Sequence, residues 1–585
     1  MEVWSVLVAA VLGLPLAYAL LSFLSAEHIP SVSVTVEDAE ARDVINNEKY
    51  TAATHQATRQ QIPCYDPGNM QFLGILEADT AGKVEEKIQR ARAAAKDWRQ
   101  SSFRQRRLLM RVLLKYIIEH QETICRVSAR DSGKPMVDAA FGEVMVTCEK
   151  LAWLAREGER HLCPERRTAG VMMFYKAARV EYHPLGVVGA IVPWNYPFHN
   201  VFNPLSAALF AGNSIVIKVS EHASWSSRYY GRIVAAALAA VGAPGDLVQI
   251  VTGYAKAGQA LVTGGVDKLI FVGSTEVGRR VMAAAAATLT PVTLELGGKD
   301  AFVVCHDADL GQAVATGLRS AFQSCGQNCA GAERFIVHER VYDAFTAMAA
   351  EAARGLRQGH ALGGPPVDCG AMCLPGLAER VAELVDDAVA AGAQVLAGGR
   401  LVRPPGGGQF YAPTVLAGVT PAMRIWREEV FGPVMAIAKF HSEDEAVALA
   451  NDCAFGLGSA VFSQNEVRAN AIGARLEAGM TSINDFATTY MCQSLPFGGV
   501  KDSGFDRFAG VEGLRGLCVA KAVCEDRWPW LMRTDIPPIL RYPVGDGAFG
   551  FVAGLVGMFY GTSLGARARG LGAVLRALLP AGKKR

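Results

Sequence analysis

The chain has 585 residues, 51% hydrophobic and 19% charged, which excludes disorder over most of its length and, at about 100–200 residues per domain, predicts two to four domains. With 58 basic against 56 acidic residues the net charge is +2, so the basic excess of a nucleic-acid binder is missing, and 60 glycines without a fixed period exclude collagen and solenoids. The 13 cysteines are odd in number and form no CxxC pair, which argues against a disulfide scaffold or a zinc site and for a reducing environment; no metal is expected.

From Val3 to Ala26 no residue is charged, and this stretch is long enough to cross a bilayer as a helix, Pro15 included. A cleaved signal peptide fits less well. The stretch before it offers only Glu2, and cutting after Ala26 would put Leu24 at the −3 position. A transmembrane anchor over 1–26 is expected, followed by a polar spacer over 27–60. Residues 80–160 carry apolar residues at three- and four-residue steps and predict helices, the last stopped by Gly133-Lys134-Pro135. Residues 172–186 alternate and predict a hairpin or arm.

The pattern then changes to strand–helix alternation. Short β-branched runs at 186–195, 214–221, 247–253 and 267–274 are separated by Ala-rich helical stretches, which predicts a doubly wound parallel sheet. A second series starts at 293–305 and runs to about 500, so two α/β layers should meet near residue 297. At the far end, Ala548–Leu564 is apolar and Gly-rich, and short for a span. Beyond it Leu571, Val574, Leu575, Leu578 and Leu579 recur at helical spacing beside Arg569 and Arg576. That segment suits a helix in a membrane interface or one packed on the protein's own surface. No Asn-x-Ser/Thr acceptor occurs, which favours a cytosolic body.

Several motifs sit where strands end, the usual ligand position in open α/β sheets. Gly273-Ser274-Thr-Glu-Val-Gly278 follows a strand and opens a helix whose free N–H groups can face a phosphate. Lys218 and Glu221 end another strand, where a carboxylate can accept ribose hydroxyls and repel a 2′-phosphate. Asn195, in Pro193-Trp194-Asn195, can donate to a developing oxyanion. Glu295, between leucines in LELGGK, can act as a base with a raised pKa. Cys329, in a Gly-broken loop, can serve as a thiolate nucleophile; on composition alone Cys325 can serve as well. Taken singly, each motif is equally a turn, a cap or a buried thiol.

In this order and spacing PWN, KVSE, GSTEVG, LELGGK, GQNC, EVFGP and PFGGVKDSG, ending at Arg507, resemble the aldehyde dehydrogenase superfamily from about 55 to 525, and most nearly its plant family-22 members. The resemblance implies an α/β fold of two doubly wound domains. The NAD-binding domain would span 61–170 and 185–297, the catalytic domain 298–510, and a small β oligomerisation arm 171–184 and 511–525; an apolar, basic membrane-associated tail takes 541–585. It also implies NAD-dependent oxidation of a small-molecule aldehyde to an acid. Cys329 would attack to form a thiohemiacetal, and Asn195 with the Cys329 N–H would hold the oxyanion. Glu295 would activate the hydrolytic water. Ile191, Trp194 and Gly273 would line the cofactor crevice, Lys218 and Glu221 would bind the adenosine ribose, Ser274 a phosphate, and Glu429 and Phe431 the nicotinamide side. Homodimers or dimers of dimers are implied, with no nucleic-acid partner. The departures, Ser324 and Val219, touch no reacting atom. The alternatives are a CoA-acylating reductase, which usually lacks the base, and an inactive scaffold, which would have lost Cys329, Asn195 or Glu295. With the anchor, the expected location is the endoplasmic reticulum or another secretory-pathway membrane, the body facing the cytosol.

Overall fold

The structure is a computed structural model that describes residues 28–41 and 60–579. The β-branched runs form strands because both faces of their sheet are covered. Val187–Ile191, Ser214–Lys218, Val248–Val251, Lys268–Val272 and Val292–Glu295 make a parallel sheet, and almost every residue of the central strands is buried. The strand order is 504–505, 292–295, 268–272, 187–191, 214–218, 248–251. Val84, Ile88 and Ala91 of helix Ala81–Trp98 pack on Val187, Val216 and Leu269 from one side. That helix starts where the Thr80 hydroxyl accepts the Lys83 N–H at 3.3 Å. The helical run before Gly133 is two helices, Phe103–Glu119 and Gln121–Ser132, and Gly133 ends the second at φ 78°.

The second sheet has the order 394–397, 414–417, 434–440, 332–338, 300–304, 459–462, 482–483, parallel except at its first pair. Alternate residues of strand Asp300–Val304 point into different cores: Ala301 and Val303 into one, Phe302 and Val304 into the other. Gly504–Phe505 falls inside the range expected for the second domain, yet it pairs antiparallel with Val292–Glu295 in the first sheet.

The chain divides into two compact units, Met1–His161 with Pro184–Cys518, and Leu162–His183 with Val519–Arg585. The first holds both large sheets. The second holds most of a three-stranded sheet in which Lys176–Pro184 lies between Cys518–Asp526 and Glu165–Arg167. Residues 511–515, assigned to the arm, are instead part of helix Gly510–Arg515. Residues 28–41, assigned to a spacer, are tied to the first unit: Arg232 pairs with Glu37 and Glu40, and Lys115 donates to the Ile29 carbonyl at 3.1 Å.

The expectation of a transmembrane helix, and of a secretory-pathway membrane location built on it, is corrected: among the described residues no helix is long and apolar enough to cross a membrane. Segment 3–26, which carried that expectation, lies outside the described residues, as do 42–59 and the basic end 580–585. In the tail, helix Ala548–Tyr560 has 13 residues, about 20 Å at 1.5 Å per residue, short of a bilayer core. It packs against helix Leu564–Leu578, where a Cβ on Gly570 would clash with the Gly557–Met558 backbone.

Candidate active site

Strand register brings the motif residues into one row. Ile191 pairs with Lys218 on one side and Phe271 on the other, and Val272 pairs with Glu295. The carboxyl ends of these strands therefore lie side by side, each followed by a motif loop. Beyond them, still within the first unit, opens a cavity of about 680 Å³ lined by Trp194, Asn195, Gly273, Ser274, Glu295, Cys329, Glu429 and Phe431, among others. Lys218, Glu221 and Ile191 stand outside that lining, at the strand ends.

Two of the motif glycines mark where loops meet. A Cβ on Gly298 would clash with the Cys329 carbonyl, so LELGGK and GQNC are in direct backbone contact. Gly326, at φ 72°, would clash in the same way with the Gly432 carbonyl of EVFGP. The turn before Cys329 is left-handed at Ser324 (φ 52°) and Cys325 (φ 59°). Asp138 holds it: its fully buried carboxylate accepts the Ser324 N–H at 2.8 Å and the Arg319 guanidinium at 2.9 Å. Cys325 is 0% exposed, and its sulfur touches that of Cys369 at 3.6 Å; the cavity reaches Cys329 instead.

Burial pushes the Cys329 thiol well up, and Glu295, Glu429 and Asp300 add to the effect. Burial also holds the Glu295 carboxyl well above the ordinary range, only partly opposed by Arg507. Both Glu295 oxygens are buried without a hydrogen-bond partner. The Asn195 amide donates one hydrogen to the Gln327 carbonyl at 3.1 Å, and an amide has a second to give.

Two buried ion pairs hold this arrangement, and the sequence pattern did not single out either. Lys134, read only as a helix stop, pairs with Glu143 and donates to the Asn195 carbonyl at 2.6 Å. Glu143 in turn accepts the N–H groups of Phe198 (2.6 Å) and His199 (3.2 Å) at the start of helix Pro197–Ala211. Lys299 pairs with Glu333 at 2.6 Å, and Glu333 accepts the Val430 and Phe431 N–H groups at 2.8 and 2.9 Å. That bond pattern fixes Phe431 at φ 52° and sets its ring edge-on to Trp194, 5.5 Å away. The signal available was a lone charge within a buried segment, which calls for a partner.

The crevice suits a nicotinamide dinucleotide. Ser274 is the N-cap of helix Thr275–Ala286 but makes no side-chain cap bond, which leaves first-turn N–H groups open to an anion. Lys218 meets Glu221 at 2.8 Å; burial alone would raise that carboxyl, but Lys218 outweighs it and Glu221 lies below its ordinary range. Among the described residues no group of His, Cys, Asp and Glu is placed to hold a metal.

The profile of the aldehyde dehydrogenase family matches residues 53–523. An aldehyde dehydrogenase-like protein of Saccharomyces cerevisiae is 41% identical over 502 residues, covering 83% of this chain and 78% of the relative. A 4,4'-diapolycopene aldehyde oxidase of a Methylomonas species is 35% identical over 454 residues, covering 77% of this chain and 83% of the relative. Among solved structures, an NAD+ complex of an aldehyde dehydrogenase from Bacillus cereus matches with a TM-score of 0.74 at 30% identity, covering 80% of this chain and 93% of that one.

Proposed function

Because this chain belongs to the aldehyde dehydrogenase family, and is thus an oxidoreductase acting on aldehydes with NAD or NADP, we propose that it oxidises its aldehyde to the carboxylic acid with NAD through a covalent adduct on Cys329. The observation that carries this reading is that Cys329, Asn195 and Glu295 line one cavity with Trp194 and Phe431. A bound nicotinamide dinucleotide supplies the two-electron oxidant. The chain's own groups do the rest. The Cys329 thiol gives its proton to water in the cavity, the thiolate attacks the carbonyl carbon to form a thiohemiacetal, and the second Asn195 N–H with the Cys329 N–H stabilises the oxyanion. Oxidation of that adduct leaves a thioester. Glu295 then takes a proton from water, which attacks the thioester and releases the acid. Glu295, with both oxygens uncommitted, supports hydrolysis over transfer to CoA.

NAD is preferred to NADP because the ionised Glu221 would face a 2′-phosphate. The three-stranded sheet of the second unit would join chains into a dimer or dimer of dimers. The test is formation of reduced cofactor by the full chain over a panel of aldehydes. Cys329→Ala should abolish it and Cys325→Ala should keep most of it, with kcat/KM higher for NAD than for NADP. Activity retained by Cys329→Ala and lost by Cys325→Ala would reverse the nucleophile assignment.

A further inference from the structure

Several polar side chains that line the cavity are engaged with the protein, while the Tyr196 and Thr488 hydroxyls are buried without a hydrogen-bond partner and leave room for an uncharged polar atom. Arg319 is neutralised by Asp138, Ser320 donates to the Gly317 carbonyl at 2.7 Å, and Asn200 donates to the Asn195 side chain at 3.2 Å. Asp485 accepts the Phe486 N–H at 2.7 Å. One stretch of the wall is Phe141, Val146, Tyr490, Met491, Phe497 and Phe508. Its rings pack on one another, Tyr490 to Phe497 at 4.7 Å and Phe497 to Phe508 at 5.5 Å.

A charged substrate tail meets obstacles of either sign. Aromatic walls can hold a cation, but here two rings already carry one, the Arg319 guanidinium 5.9 Å from the Phe141 centroid and Lys134 Nζ 4.4 Å from that of Tyr196, and the carboxylate that would draw a cationic tail, Asp485, is exposed to solvent. An anionic tail would find Arg319 paired with a buried carboxylate and Arg380 paired with Glu428 at 3.9 Å, while Asp485 repels it. We propose that the substrate is an uncharged aldehyde with an extended apolar tail, which lies against the Phe141–Val146 and Tyr490–Phe508 walls. This rests on the aldehyde-oxidising reading of the same cavity and narrows it.

The experiment measures kcat/KM of the full chain with NAD for straight-chain aldehydes, succinic semialdehyde and 4-aminobutanal. Each buried methylene should raise kcat/KM about fourfold, so hexanal should exceed propanal by roughly 60-fold. Both charged aldehydes should fall at least about tenfold below butanal, as expected for a charge left unpaired in an apolar site. Met491→Arg should cut hexanal turnover at least about tenfold and flatten the length dependence. A flat chain-length series, or a charged aldehyde equal to butanal, overturns the proposal. A parallel measurement of n-alkyl amides, which have no transferable hydrogen on the carbonyl carbon, reads binding through the fluorescence of Trp194 and its neighbours. If no aldehyde is oxidised but amide affinity climbs with length, the functional reading fails and the apolar site stands. If amide affinity does not climb with length, the apolar site fails whatever the oxidation assay gives.

Discussion

Glu295 is a carboxyl whose raised pKa sets a direction for the pH profile. In the proposed mechanism it must be ionised to take a proton from water, and burial holds it well above the ordinary carboxyl range. The hydrolytic step should therefore accelerate as pH rises through that raised value. Glu295→Gln should flatten the rise and slow steady-state turnover by about 10²–10⁴-fold, while a first-turnover burst of reduced cofactor remains in rapid-mixing traces. Loss of the burst as well would mean that Glu295 acts before the thioester. Lys150 makes the opposite kind of case, a charge kept at a cost to the fold. Its amine is buried without a hydrogen-bond partner, 5.4 Å from the Trp153 ring centroid, and burial lowers it from 10.5 to about 7. Between those two values the unfolded chain holds a proton that the folded chain has released, so stability rises with pH across that window. Lys150→Met should raise stability at neutral pH by about 1–4 kcal/mol and remove the slope. Urea midpoints at either end of the window check this, and an unchanged slope would assign the titration to another group.

At the scale of elements, the site is a meeting of loops held by buried carboxylates. Asp138, in helix Met136–Ala139, bonds the left-handed turn at Ser324 and Cys325 and so sets where the following Cys329 stands. Asp138→Ala removes that bond, and a nucleophile misplaced by about 1 Å costs on the order of 10²-fold. We expect kcat to fall by that factor with KM little changed, and Asp138→Asn, which keeps an acceptor, to recover part of it. A rise in KM alone would place Asp138 in substrate binding. The strands that carry these loops were legible because a sheet covered on both faces demands long β-branched runs, and SIVIK or KLIFV satisfies that demand locally. The motif residues were legible for a related reason: each follows such a strand. The roles of Glu143 and Glu333 were not legible, because the N–H groups they bond, at Phe198 and at Val430, come from distant segments, and periodicity says nothing about which segments meet. The same limit explains Gly504–Phe505, two residues whose place in the first sheet depends only on the edge offered by Val292–Glu295. Hydropathy, in turn, registers that the tail is apolar but not that its two helices cover each other.

At the scale of the whole molecule, the two compact units divide the labour. Every residue given a chemical role lies in Met1–His161 or Pro184–Cys518. The tail helices Ala548–Tyr560 and Leu564–Leu578 belong to the other unit and pack backbone to backbone, Gly554 against the Val574 N–H and Gly570 against Met558. Their pairing supports itself and contributes no group to the cavity. A chain ended after Leu540 should therefore keep its aldehyde oxidation within about twofold of the full chain, the span of a neutral surface change. The companion variant Gly570→Val forces the two helices apart. It should make the tail more sensitive to limited proteolysis while the oxidation rate stays within the same range. Loss of oxidation in the shortened chain, with the first unit still folded by near-ultraviolet circular dichroism, would show that the tail acts on the cavity. Loss on Gly570→Val as well would locate that action in the helix pair itself.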